Sequence, residues 1–264
     1  MHINSELIKK LRLKSGIGIM ECKKALLLAN GDIQKAIFIL KKNGNIKAEN
    51  KIKNIALRGI ISTSINNGYS CILELNCETD FVEKHIDFIK FSKEILLIAY
   101  NQQIKDLLNL RKIFEEQRIM LVSKFSENII IRRFQAFFSN KITSYVHRNR
   151  IGVLVESNFK NKDNIKKIAM HIAANNPDYL SRNDIPSEVI KKEKKIQLEI
   201  ALSSGKPLSI AKKIVDGRME KFFKKICLLE QQCVFNIEKK IKDFIFENNG
   251  KIFNFIRFEL GEEF

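Results

Sequence analysis

Between positions 69 and 101 the hydrophobic period changes from two to about 3.6, which commits the chain to a fold in which a strand hands over to a helix. Over Tyr69–Cys77 the residues Cys71, Leu73, Leu75 and Cys77 fall on one side, with Ser70, Glu74 and Asn76 on the other. That alternation predicts a half-buried strand. From Val82 onward Ile86, Phe88, Ile89, Phe91 and Ile95 follow helical spacing, which predicts one helix over 80–101. Thr79 occupies the N-cap position, with its hydroxyl free to accept a first-turn amide, and Asp80 and Glu83 suit the positive end of the helix dipole. The corner Asn76-Cys77-Glu78-Thr79-Asp80-Phe81-Val82 therefore sets a carboxylate beside a large aromatic. Read locally, Phe81 is one more core residue and Asp80 one more cap, because aromatics at helix starts are usually buried.

The same order of elements appears twice. Strands at 59–65 and 69–77 meet at Asn66-Asn67-Gly68, a hairpin signal, and the 80–101 helix follows. Strands at 142–146 and 152–156 flank His147-Arg148-Asn149-Arg150, and a helix over 162–174 follows with Ile165, Ile168, Ala169 and Ile172 as its apolar stripe. Between these units 107–126 reads as helix and 128–138 as strand. Ahead of them, the first fifty residues read as three short helices. Asn4 or Ser5 caps the first, which carries Leu7, Ile8 and Leu11, and Gly16-Ile17-Gly18 ends it. Asn30-Gly31 and Asp32 separate the second from the third, and Asn43-Gly44 closes the third. Lysine-rich 47–54 is a linker or a short helix.

Beyond Pro177, two long helices over 187–203 and 208–225 are joined by Ser204-Gly205-Lys206-Pro207. Gly205 suits the left-handed exit of the first, and Pro207 the first turn of the second. Ile196, Ile200 and Ala201 are expected to face Leu208, Ala211, Val215, Met219 and Phe222 in an antiparallel hairpin. Residues 236–248 read as helix, and 251–259 as an alternating strand with Phe253, Phe255 and Phe258. The fold class is α+β. Its expected divisions are a helical module with linker at 1–54, a first core subdomain at 55–140, a second at 141–180 with 226–264, and a helical hairpin insertion at 181–225.

Composition narrows the function. The formal net charge is +17 and Phe numbers 19. Such an excess of Lys and Arg suits nucleic acid or an acidic partner. The lysines are nevertheless spread along the chain and Phe falls at core spacings, as a coding bias towards Ile, Asn and Lys would also give. Five cysteines without C-x-x-C spacing argue against a disulfide framework or a zinc site. As extended chain, Cys71 and Cys77 stand about 20 Å apart, beyond disulfide reach. With no signal-peptide-length apolar run and no apolar run of about 18 residues, reduced thiols in a cytoplasmic protein are expected. The histidines His2, His85, His147 and His171 form no ligand or catalytic spacing. Gly16-Ile17-Gly18 completes no phosphate loop, and no Gly-x-Ser-x-Gly elbow occurs. Neither an enzyme, nor a cofactor, nor a metal is expected.

Several separated motifs, in order, resemble one family. Leu11-Arg12-Leu13-Lys14-Ser15-Gly16-Ile17-Gly18, Glu21-Cys22-Lys23-Lys24-Ala25-Leu26, Asn30-Gly31-Asp32 and Thr79-Asp80-Phe81-Val82 are similar to translation elongation factor Ts. So are residues 129–133, 150–155, 171–174, 204–207 and 255–261. That family exchanges guanine nucleotide on elongation factor Tu. The resemblance covers nearly the whole chain. It implies a ubiquitin-associated type of three-helix bundle, a two-lobed core and a projecting hairpin. It also implies that Thr79, Asp80, Phe81 and Val82 meet the partner near its magnesium site, with Arg12, Ile19, Met20 and His147 as further contacts. No direct nucleotide binding, no membrane contact and no nucleic acid are implied. Many members continue into another C-terminal helical module, and this sequence departs from them by stopping at Gly261-Glu262-Glu263-Phe264. The rival reading, on charge alone, is a basic RNA-binding protein, whose affinity would fall steeply with salt.

Overall fold

The computed structural model describes residues 4–203 and 207–263. Two compact units emerge, one built from residues 4–140, 146–152 and 258–263, the other from 141–145, 153–203 and 207–257.

In the first unit, the Asn4 side chain accepts the Glu6 amide and starts α1 (Ser5–Ser15), which Gly16 ends in the left-handed conformation. Helix α2 (Ile19–Leu28) follows. The Asp32 carboxylate accepts the amides of Gln34 and Lys35 and opens α3 (Ile33–Lys51). Leu11, Cys22, Leu26, Ala36 and Leu40 fill the space between the three helices. The predicted stop at Asn43-Gly44 does not occur, and α3 runs on to Lys51. Gly44 is there for packing: a Cβ would lie 2.7 Å from Ser123 Oγ and 3.1 Å from Ile119 Cγ2, on the helix Leu107–Phe125.

Strands β1 (Arg58–Asn66) and β2 (Tyr69–Cys77) pair antiparallel, with Asn66 opposite Tyr69 across the Asn67-Gly68 turn. The predicted single helix over 80–101 is two: the one-turn α4 (Asp80–Glu83) and α5 (Ile86–Asn101). His85 makes the break, its Nδ1 accepting the Asp87 amide as the N-cap of α5. Helix α6 (Leu107–Phe125), opened by Asp106 and closed by Ser126 in the left-handed region, leads to β3 (Ile130–Phe137). The sheet order is β1-β2-β3, so β2 is central.

Every residue of β2 is buried, where the alternation predicted one wet face. Tyr69, Cys71, Leu73, Leu75 and Cys77 pack with Phe88, Phe91 and Ile95 of α5 and with Leu110 and Phe114 of α6. The other face is covered by returning segments of the same unit, with Gly152 against Ile61 and Ile72. Glu74 is fully buried there. Its carboxylate accepts Arg132 Nη1 (2.9 Å), Arg133 Nε and the Gly261 amide (2.9 Å), as a buried charge requires.

The other elements are β4 (Ile142–His147), β5 (Ile151–Ser157), α7 (Lys162–Asn175), α8 (Ser187–Ser203), α9 (Leu208–Ile226), β6 (Gln232–Cys233), β7 (Asn236–Lys240), α10 (Ile241–Glu247) and β8 (Ile252–Glu259). They form a sheet of order β4-β5-β8 and a β6-β7 pair. The ends of β4, β5 and β8 belong to the first unit. Arg148 and Asn149, both at positive φ, make the β4–β5 turn. The α7 stripe Ile165, Ile168, Ala169 and Ile172 is buried as predicted.

Four expectations need correction among these elements. Residues 236–240 are strand, so the helix predicted from 236 starts only at Ile241. The buried face of β8 is Ile252, Ile256 and Phe258, while Phe253 is exposed and Phe255 half-buried. In the α8–α9 hairpin, Ala201, Ala211, Val215 and Met219 meet as predicted, with Phe222 beside them, but Ile196, Ile200 and Leu208 are exposed. The seam on α8 runs from Ala201 back through Leu198 to Ile190, a helical stripe that leaves positions 196 and 200 off to one side. Pro207 stands at the N-cap of α9 instead of its first turn, and Gly205 and His2 lie outside the described residues. No described helix is long and apolar enough to cross a membrane.

Candidate functional site

The corner at Glu78-Thr79-Asp80-Phe81-Val82 is held from both sides and yet presents an uncovered aromatic. Val82 is buried among the α5 and α6 side chains of the core. One position earlier, Phe81 is 84% exposed. A lone exposed apolar residue is unremarkable, but this one stands on a single helical turn whose backbone is tied down at several points.

Those ties come from Glu127 and Glu78. Glu127 Oε2 accepts the amides of Glu78 (3.2 Å) and Thr79 (3.0 Å), and its Oε1 accepts the Thr79 hydroxyl at 2.6 Å. Glu78 Oε1 accepts the Asn128 amide (2.6 Å) and Asn54 Nδ2 (2.9 Å). Thr79 is at the N-cap as predicted, but its side chain caps nothing. The hydroxyl donates to Glu127, which corrects the role assigned from sequence. Cys77 Sγ donates to the Thr79 carbonyl at 3.2 Å. Burial, with the charges of Glu127 and Glu83 adding to it, pushes this thiol up to about 12.

Asp80 carries charge to the same surface. Its Oδ2 accepts Lys84 Nζ at 2.7 Å, and that hydrogen bond holds the Asp80 carboxyl below its ordinary value while raising Lys84. Both side chains are largely exposed, so the pair is worth little to stability. It does keep a carboxylate and an ammonium at the start and the end of the short turn that carries Phe81.

Arg12, Ile19 and Met20 are exposed on the three-helix bundle, at the end of α1 and in the first turn of α2. Leu13, 88% exposed, lies between them in sequence. His147 is exposed at the end of β4, its carbonyl accepting the Arg150 amide across the turn. All these positions belong to the first unit: Ile19 and Met20 share α2, and Thr79 stands at the N-cap of α4, which carries Asp80, Phe81 and Val82.

Sequence reasoning missed two features. One is Glu127, which lies 48 positions from Thr79, and no local pattern relates the two. The other is a run of exposed apolar residues in the second unit, Val234, Phe235 and Ile237, with Phe235 edge-on to Phe244 at 4.9 Å. Grouped exposed apolar residues mark an interaction surface more often than scattered ones do. A break in polarity at 234–237 was the available signal, and the reading of 236–248 as helix concealed its second half.

Residues 78–262 match the family model described as Elongation factor TS. Over 261 residues, 99% of this chain, it is 49% identical to Elongation factor Ts of Buchnera aphidicola subsp. Acyrthosiphon pisum (strain 5A), of which 97% is covered. Elongation factor Ts of Yersinia pestis (strain Pestoides F) is 46% identical over 262 residues, 98% of this chain and 92% of that one. For Cronobacter sakazakii (strain ATCC BAA-894) the figures are 44% over 260 residues, 98% and 92%.

Proposed function

Since this chain belongs to the elongation factor Ts family, and so to the translation elongation factors, we propose that it binds elongation factor Tu carrying GDP and drives release of that GDP so that GTP can rebind. The observation that carries the reading is Phe81, exposed at 84% on a backbone fixed by Glu127 and anchored by Val82. A rigid apolar protrusion suits insertion between helices near the partner's magnesium and nucleotide site. Asp80 and Lys84 flank it with charge.

By linkage, whatever affinity the factor loses when nucleotide binds, nucleotide loses when the factor binds. A ten-thousandfold faster release corresponds to about 5.5 kcal/mol of barrier. Burying one phenylalanine contributes about 1.5–3 kcal/mol, so the wedge alone is insufficient and a wider interface must share the load. Candidates for that interface are Arg12, Ile19 and Met20 on the module at 1–54, His147, and the exposed Val234, Phe235 and Ile237. On this reading the subdomains at 55–140 and at 141–180 with 226–264 both grip the partner. The chain acts by binding, in the cytoplasm where that partner works, and makes or breaks no covalent bond.

The test is release of a fluorescent GDP analogue from elongation factor Tu, with and without the chain. Release accelerated by orders of magnitude is expected. A folded chain that leaves the rate unchanged overturns the reading.

A further inference from the structure

We infer that Glu127 is the positioning residue for Phe81: one carboxylate, brought from the far end of α6, sets the direction in which the aromatic stands out. The inference deepens the exchange reading and rests on it.

Helix α4 has only four residues, and a single turn has no stability of its own. Its backbone bonds are Glu83 N–H to Thr79 C=O, Lys84 N–H to Asp80 C=O and His85 N–H to Val82 C=O. None of these fixes the turn relative to the sheet. Val82 anchors one side by burial. On the other side, the amides of Glu78 and Thr79 lie past the last residue of β2 and before the first residue of α4. Neither the ladder nor the helix supplies them with an acceptor. Glu127 takes both, and the Thr79 hydroxyl as well. Bonds to an ionised acceptor are about twice as strong as neutral ones. Glu78 answers from its own side chain by accepting the Asn128 amide, so the two segments clasp each other in both directions. Glu127 follows directly on Ser126, the left-handed residue that ends α6, which fixes where the carboxylate begins. Remove it, and Phe81 remains tethered at Val82 but is free to swing.

The test is a double-mutant cycle between Glu127→Ala and Phe81→Ala in the full chain, read as release of the fluorescent GDP analogue at saturating factor. Glu127→Ala alone is expected to slow release by about tenfold to a hundredfold, since misplacement by an ångström can cost about a hundredfold. In the Phe81→Ala background the same change is expected to cost no more than about twofold, because Glu127 then has nothing to aim. An equal factor in both backgrounds would mean that Glu127 acts elsewhere, and the inference would fall.

Glu127→Gln keeps the side-chain volume and provides a second arm if the alanine variant does not fold. Amide hydrogen exchange at Glu78 and Thr79 is expected to quicken about tenfold in it, while β2 stays protected. Unchanged protection at those two amides overturns the inference whatever the exchange activity. An inactive parent chain overturns the exchange reading and the purpose given to Glu127 together. An active parent with equally active, folded Glu127 variants overturns the inference alone.

Discussion

Replacing Glu74 by alanine removes the fully buried anion at a junction that three chain segments share. The carboxylate is fully buried and accepts from Arg132 Nη1, Arg133 Nε and the Gly261 amide. Both arginines also reach the end of the chain: Arg132 donates to the Glu262 carbonyl and Arg133 to that of Glu259, with its guanidinium 4.3 Å from the Phe258 ring centroid. Deleting Glu74 takes the buried carboxylate away from both guanidinium groups, while Arg133 keeps the part-exposed Glu262 carboxylate at 3.4 Å. Breaking a buried ion pair from one side costs about 3–5 kcal/mol. In a protein of this size that corresponds to about 6–20 °C in Tm. The assay is thermal and urea unfolding of Glu74→Ala beside the parent, followed by circular dichroism. Glu74→Gln separates charge from volume, because it fills the same space with a neutral group, and it should lose most of the same stability. If either variant loses less than about 1 kcal/mol, the network is not what joins β2, β3 and the chain end, and the reasoning fails.

Two further outcomes are expected. Gly59 has φ of 139° and a Cβ there would lie 2.0 Å from the Leu75 carbonyl oxygen, so Gly59→Ala should destabilise the fold by about 2 kcal/mol or more, read as a lower urea midpoint. His171 is buried, its Nδ1 accepting the Val234 amide and its Nε2 paired with Gln231 Oε1. Burial lowers its pKa in the folded state, so the unfolded chain takes up the proton first. Stability should therefore be held above about pH 6.5 and fall as the pH drops from there towards the lower folded-state value. His171→Asn, which has no such proton to take up, should show a flatter profile of Tm against pH between 7 and 5.

Features written in neighbouring residues were legible. The Asn67-Gly68 hairpin, the Asp32 cap and the buried stripe of α7 each depend on a few adjacent positions. Phe81 shows where that stops. In one unbroken helix, Phe81 and Phe88 would share a face, seven positions apart, and both would be buried. His85 caps α5 and breaks the register, so Phe88 is buried while Phe81 is not. Residues 236–248 misled for a related reason: Ile237, Ile241 and Ile245 recur every fourth position, as in a helix, but Ile237 stands exposed on β7. Glu74 read as an outward strand residue because its partners, Arg132 and Arg133, lie about sixty residues further on. The partners of Glu127 are likewise distant. What stayed illegible was in each case a long-range pairing or a break in helical phase.

The central claim, that Phe81 acts on the partner and not on the fold, is tested most directly by measuring stimulated GDP release and unfolding free energy on the same Phe81→Ala preparation. A side chain this exposed contributes little to folding, so the unfolding free energy should stay within about 0.5 kcal/mol of the parent. Losing the burial it would gain in the partner, about 1.5–3 kcal/mol, should slow release by about tenfold to a hundredfold. A variant that releases GDP as fast as the parent, or one that slows release only in proportion to a lost fold, contradicts the account.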